Sequence, residues 1–248
     1  MYQALYRKYR SQTFGQLVGQ KVVATTLRQA VEQDKISHAY LFSGPRGTGK
    51  TSVAKIFAKA MNCPHRKNGE PCNECYICQA ITEGSLEDVI EIDAASNNGV
   101  DEIRDIRDKS TYAPSLAKHK VYIIDEVHML STGAFNALLK TLEEPTENVV
   151  FILATTELHK IPATILSRVQ RFEFKSIKTK DIVAHVEWIL QQENIGFEND
   201  AVQIIARRAE GGMRDALSIL DQALSLTQDN QLTTAISEEI TGSISLGA

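Results

Sequence analysis

The sequence predicts an α/β fold in which a parallel sheet lies between helices, followed by a small all-helical domain. Three observations carry this. Short apolar runs of strand length alternate with amphipathic stretches up to about residue 174. A Gly-rich segment sits at the junction between one such run and a helix. Beyond Lys178 the apolar runs stop and only helical periodicity remains.

The elements follow in order. Residues 21–33 read as an amphipathic helix and His38–Ser43 as a short buried strand. A helix over 50–61 puts Val53, Ile56, Phe57 and Ala60 on one side. A cysteine-rich loop comes next, then a strand at Val89–Ile92 and a helix near 100–109. Val121–Asp125 is a nearly continuous apolar run, followed by a helix over 132–143 that stops at Pro145. Val149–Ala154 and Arg171–Phe174 complete the strands. Apolar strands separated by helices imply a parallel sheet covered on both faces. Helices over 179–193, 199–210 and 213–226 form the second domain, so the expected division is 1–178 and 179–243.

The 248 residues are 43% hydrophobic and 23% charged, ordinary for a globular chain with a real core. The net charge of -4 argues against a nucleic-acid coat. That charge is unevenly spread: residues 1–60 hold ten Lys/Arg against two Asp/Glu, which favours an anionic ligand near this part. The N-terminus lacks the apolar core of a signal peptide, and the longest apolar runs are too short to span a bilayer. A soluble, cytoplasmic protein with no membrane partner is expected.

Gly44-Pro45-Arg46-Gly47-Thr48-Gly49-Lys50-Thr51 fits GxxxxGK[ST] between a buried strand and a helix. Glycines let backbone N–H groups wrap phosphates, and the helix start adds its dipole. Lys50 reaches the β/γ-phosphates, and the Thr51 hydroxyl ligates Mg²⁺. A plain Gly-rich turn need not fill every position of this pattern. Asp125 and Glu126 end the most apolar strand; Asp125 suits Mg²⁺, and Glu126 suits the base that polarises an attacking water. Thr155 and Thr156 close the next strand at the same sheet edge, where a hydroxyl can sense the γ-phosphate. Thr156 is favoured over Thr155.

All four cysteines, Cys63, Cys72, Cys75 and Cys78, fall in one loop. Two-residue gaps let sulfurs converge on one ion, and four thiolates close a tetrahedral sphere, so a structural zinc is expected. Redox use, or His65 in place of one cysteine, are the alternatives.

The segments GPRGTGKT, VYIIDEVHMLS, FNALLKTLEEP, FILATTELHKIPATILSR and EGGMRDALSILDQA, with the four-Cys loop, resemble the gamma/tau clamp-loader ATPases of bacterial DNA polymerase III. These belong to the AAA+ group, and the likeness covers essentially the whole chain. The resemblance implies ATP, Mg²⁺ and Zn²⁺ as ligands, an AAA+ ATPase domain with a zinc loop at 63–78, and a helical lid. It implies Arg168 as a finger reaching a neighbouring subunit's ATP site, and Arg214 as the lid's γ-phosphate sensor. The segment Tyr6-Arg7-Lys8-Tyr9-Arg10, with Val18 and Gly19, resembles the part that packs around adenine, Tyr9, Arg10 and Val18 being the implied contacts. A surface role or nucleic-acid stacking are the other readings of this basic, aromatic stretch. Ser96, Asn97, Asn98 and Gly99 open a helix that faces the DNA backbone in relatives, with Arg104 assisting. A simple helix cap is the alternative there.

The implied partners are other loader subunits (delta, delta-prime and further gamma/tau copies), a sliding clamp and primed DNA. Polymerase chemistry is not expected, since only the NTPase pattern is present. Two departures stand out: Ser11 where the family usually has Pro, and Val169 where it usually has Cys. Relatives continue into a collar domain, so this chain is expected to be a two-domain piece, monomeric alone. The rivals are a branch-migration helicase, against which the zinc loop argues, and a nucleotide-independent scaffold subunit, against which Lys50 and Thr51 argue.

Overall fold

A computed structural model describes residues 2–96, 99–109 and 112–246. The elements in chain order are α1 (Leu5–Lys8), α2 (Lys21–Glu32), β1 (Ala39–Ser43), α3 (Lys50–Asn62), α4 (Tyr76–Glu83), β2 (Val89–Asp93) and α5 (Val100–Lys109). They continue with β3 (Lys120–Asp125), α6 (Thr132–Glu143), β4 (Val149–Thr155), α7 (Ala163–Leu166) and β5 (Gln170–Glu173). The last part holds α8 (Thr179–Gln192), β6 (Gly196–Phe197), α9 (Asn199–Arg208), α10 (Met213–Ser225), β7 (Gln231–Leu232) and α11 (Thr234–Leu246).

The sheet is parallel throughout, in the order β2-β3-β4-β1-β5. Side chains alternate between its faces, as the two-residue strand period requires. Tyr40, Phe42, Val121, Ile123, Val150 and Ile152 pack against α2 and α3. Ala39, Leu41, Tyr122, Ile124, Phe151 and Leu153 pack on the other side with α5 and α6. Both faces are therefore dry, which explains why these strands read as unbroken apolar runs. The expected α/β sheet is the one observed.

The second domain gathers α8, α9, α10 and α11 around Ile182, Val186, Ile205 and Leu220. Two features depart from the expectation. Helix α11 has no helical signature in its sequence, with Thr, Ser, Ile and Gly242 interrupting it; packing against α9 overrides the weak propensity. A two-residue parallel pairing of β6 with β7 also ties the domain together. Helix α9 ends at Arg208 rather than 210, because Glu210 and Gly211 both take positive φ (51° and 86°).

The N-terminal segment belongs physically to the helical domain. Leu5 is buried in that core, its amide donates to Asp221 at 3.1 Å, and Lys8 pairs with Glu193 at 2.8 Å. Tyr9 donates to the same carboxylate and meets the Trp188 ring edge-on at 5.7 Å. No helix is long and apolar enough to cross a membrane among the described residues.

Candidate functional site

Strands β1, β3 and β4 all end at one edge of the sheet, and the residues that follow them converge there. The loop after β1 bends through Gly44 (φ 143°), Gly47 (φ 77°) and Gly49 (φ 104°). A side chain at Gly44 would collide with the Phe174 carbonyl, so only glycine fits. Lys50 is 7% exposed, and its ammonium donates to the carbonyls of Gly44 and Pro45, both at 2.7 Å. Burial pulls its pKa down, while the nearby Asp125 and Glu126 carboxylates oppose that.

Beyond β3, Glu126 sits in the left-handed region at φ 51°. Its amide donates to Asp125 Oδ1 at 2.9 Å. After β4 the two threonines separate. Thr155 is fully buried and its hydroxyl lies 2.8 Å from His128 Nδ1. Thr156 instead donates to Glu126 Oε2 at 3.3 Å and lines the cavity. His128 Nδ1 is also 3.4 Å from Glu126 Oε2, so one imidazole touches both strand ends.

The helical domain closes over this edge. Met213 donates its amide to the Gly47 carbonyl at 3.1 Å, which docks the start of α10 on the Gly-rich loop. Arg214 follows, its guanidinium 4.7 Å from the Tyr6 ring centre, and Arg10 takes the same ring at 5.7 Å. Tyr6 thus holds two cations against its ring and also lines the cavity. Arg10 also donates to Ser52 at 2.9 Å.

The result is a cavity of about 330 Å³ between sheet edge and helical domain. Arg46, Gly47, Thr48, Gly49, Lys50 and Thr51 line its floor, and Asp125, Glu126 and Thr156 one wall. Tyr9, Arg10, Val18 and Arg214 line the cavity as well, together with Ser11. Tyr6, part of the basic, aromatic N-terminal segment, lines it too, and lining residues that the sequence does not single out include Ser52, Asp93 and His185. Gln20, beside the cavity, was also missed. Its buried amide donates to Thr48 O (3.2 Å) and Lys175 O (2.7 Å), bracing the Gly-rich loop against the link between domains. No local motif marks a glutamine whose partners lie 28 and 155 residues away.

Arg168 lies elsewhere. It sits just past α7, bound to Glu143 at 3.2 Å and to the Thr164 carbonyl at 3.0 Å. It lines a separate hollow with Ser37, His38 and Pro145 and does not reach its own chain's cavity. Of the residues expected to face DNA, Asn97 and Asn98 lie outside the described residues. Ser96 is exposed in a turn, and Arg104 shares a shallow hollow with Arg107, Asn136 and Lys140.

The four cysteine sulfurs lie within 4.8 Å of one another. Backbone amides of Cys72, Glu74, Cys75 and Cys78 donate to them at 3.2–3.4 Å. At Cys72 burial opposes ionisation, but the Glu74 and Cys75 amides prevail and bring the thiol down to about 6. Burial pushes the Cys63 and Cys78 thiols up. His65 is not among the converging ligands.

Comparison with known proteins gives a consistent picture. A family model described as DNA polymerase III, delta subunit matches residues 19–178, and one described as DNA polymerase III clamp loader subunit, ATPase lid domain matches 181–229. The chain is 65% identical over 228 residues to the tau subunit of DNA polymerase III from Bacillus subtilis, covering 92% of this chain and 40% of that protein. It is 49% identical over 243 residues to the Escherichia coli tau subunit, covering 98% of this chain and 38% of that protein. The chain therefore spans about two fifths of the length of these curated relatives. Among solved structures, the Thermotoga maritima RuvB Holliday junction branch migration motor superposes with a TM-score of 0.69 at 16% identity, covering 94% of this chain and 72% of that one. At that identity the likeness concerns the fold.

Proposed function

The chain belongs to the family of DNA polymerase III clamp-loader subunits, and from that premise we propose that it is the ATP-binding and ATP-hydrolysing part of a gamma/tau-type motor subunit. Such a subunit opens a sliding clamp and loads it onto primed DNA during replication. The observation that carries this reading is one cavity lined by loop residues Arg46 to Thr51, two strand-end carboxylates, Thr156 and the helical-domain Arg214.

Each group has a task set by its chemistry. Loop N–H groups from Arg46 to Thr51 wrap the phosphates, and Lys50 meets the β/γ oxygens. Thr51 and Asp125 would hold Mg²⁺, which when bound neutralises charge on the phosphate oxygens. Glu126 takes the proton of the attacking water, and its bond to Thr156 ties the base to a residue that senses the γ-phosphate. Arg214, docked through Met213 on the same loop, couples the nucleotide to the position of the helical domain. Tyr9, Arg10 and Val18 form the adenine side.

Glu126→Gln should bind nucleotide with unchanged affinity yet lose about 100-fold in turnover, the size of effect typical of a general base. Calorimetry alongside a phosphate-release assay checks both halves. Retained turnover would remove Glu126 from the mechanism.

The four thiols fit a structural zinc site, since four sulfur ligands close the sphere and leave no position for water. The purified protein should carry about one zinc per chain, and stripping it with a chelator should lower the melting temperature. Metal analysis finding none in freshly prepared protein would count against the site.

The proposed partners are delta, delta-prime and further gamma/tau subunits, the clamp and primed DNA, in the cytoplasm. DNA contact at 96–99 and Arg104 would be to phosphates, from a helix start and a few cations, without reading bases. Taken alone the two domains should be monomeric and slow to hydrolyse ATP.

A further inference from the structure

We propose that the cysteine loop is a positioning device for the purine side of the cavity, acting through Glu70 and Asn73. The inference rests on the nucleotide-site reading above and deepens it.

Residues 9–20 join α1 to α2 with one short 3₁₀ turn at Phe14–Gln16, so backbone polar groups outside that turn need other partners. Some are local, such as Gln12 N to Gln16 Oε1 at 2.8 Å, but three backbone groups of the segment are met by the cysteine loop and the Gln12 side chain by α3. The Glu70 carboxylate accepts from both Phe14 N (2.8 Å) and Gly15 N (2.9 Å). Asn73 Nδ2 donates to the Gln12 carbonyl at 2.9 Å. Lys59, 1% exposed, donates to the Gln12 side chain at 2.6 Å.

The tie points at 12–15 are flanked by cavity-lining residues on both sides: Arg10 and Ser11 before them, Leu17 and Val18 after. Holding the middle of the segment fixes both flanks. The grip is in turn bound to the shape of the thiol cluster. Asn73 takes φ 60° inside the turn between Cys72 and Cys75, and the next two amides donate to Cys72 Sγ. The backbone that aims these thiols therefore also aims the Asn73 amide. Gly69, packed so closely on the Arg28 carbonyl that no side chain fits, anchors the far side of the loop to α2.

This arrangement predicts a selective effect. The phosphate loop hangs from β1 and α3 and does not depend on Glu70, whereas the wall beside the base and ribose does. Glu70 and Asn73 are positioning residues: a wall held in its binding conformation spares the ligand the cost of ordering it.

The test compares ATP with inorganic tripolyphosphate, which uses only the phosphate loop, by calorimetry on the full-length protein. Glu70→Gln leaves one of the two amides without a carboxylate oxygen, and should weaken ATP about fivefold, as expected for one lost charge-assisted bond. Tripolyphosphate affinity and zinc content should stay unchanged, while amide exchange at Phe14 and Gly15 should accelerate. Asn73→Ala, which frees the Gln12 carbonyl, should reproduce the selectivity and serves if the first variant folds poorly. Unchanged ATP affinity despite faster exchange, or equal weakening of both ligands, overturns the proposal. Lys50→Ala is the separate control: if it retains both ligands, the nucleotide-site reading itself has failed.

Discussion

Lys50→Ala should lose tight binding of Mg-ATP while the fold stays intact. The ammonium is a buried cation lining the cavity, close enough to the Asp125 and Glu126 carboxylates to feel both. Removing it leaves the carboxylates to repel an incoming polyphosphate. A unit charge pair at 4 Å with an effective dielectric near 20 is worth about 4 kcal/mol, or roughly three decades in affinity. Part of that is offset because Lys50 need no longer give up its bonds to Gly44 and Pro45, so a loss of at least about 100-fold is the expected outcome. Calorimetric titration measures it, with thermal unfolding as the folding control. Unchanged affinity would remove the phosphate-loop assignment and everything built on it.

Arg168→Ala should behave in the opposite way, leaving nucleotide binding by the separate chain untouched while cutting turnover in the assembled loader. The side chain is 37% exposed and paired with an exposed Glu143, so its loss should hardly affect stability. It is remote from its own cavity, on a face carrying His38 and Pro145. A guanidinium reaching a neighbour's γ-phosphate stabilises charge that develops during transfer, and such fingers contribute about 10³-fold or more. Steady-state ATPase of the reconstituted assembly should fall by about that factor. Equal loss of turnover in the isolated chain would show that the arginine works in its own site.

These two variants also separate what was legible in the sequence. Lys50 lies within a motif of eight consecutive residues, whose geometry is made by local glycine conformations and a helix start. Arg168 was identified through resemblance alone, because nothing in its own neighbourhood distinguishes it from a surface arginine. The cysteine loop lies between these cases. Its CxxC spacing predicted convergence, which the sulfurs show, but its second set of bonds, to residues 12–15, has no counterpart in spacing.

The threonine pair illustrates the limit most simply. Thr155 and Thr156 are chemically identical and adjacent, so composition cannot choose between them. Strand β4 chooses, because successive side chains leave a strand on opposite sides. One hydroxyl enters the core beside His128 and the other reaches Glu126.

The parallel sheet, the Gly-rich loop after β1, the strand-end carboxylates and the thiol cluster were legible in the sequence, since each arises from periodicity or from partners a few residues apart. Packing between distant segments decided that Gln20 braces that loop, that Arg10 and Arg214 both meet the Tyr6 ring, that α11 forms at all, and that the cysteine loop grips the N-terminal segment. All of these depend on contacts between distant segments. Such contacts exist only after the helical domain and the sheet have packed, when burial leaves each polar group to find whichever partner the fold has brought within reach.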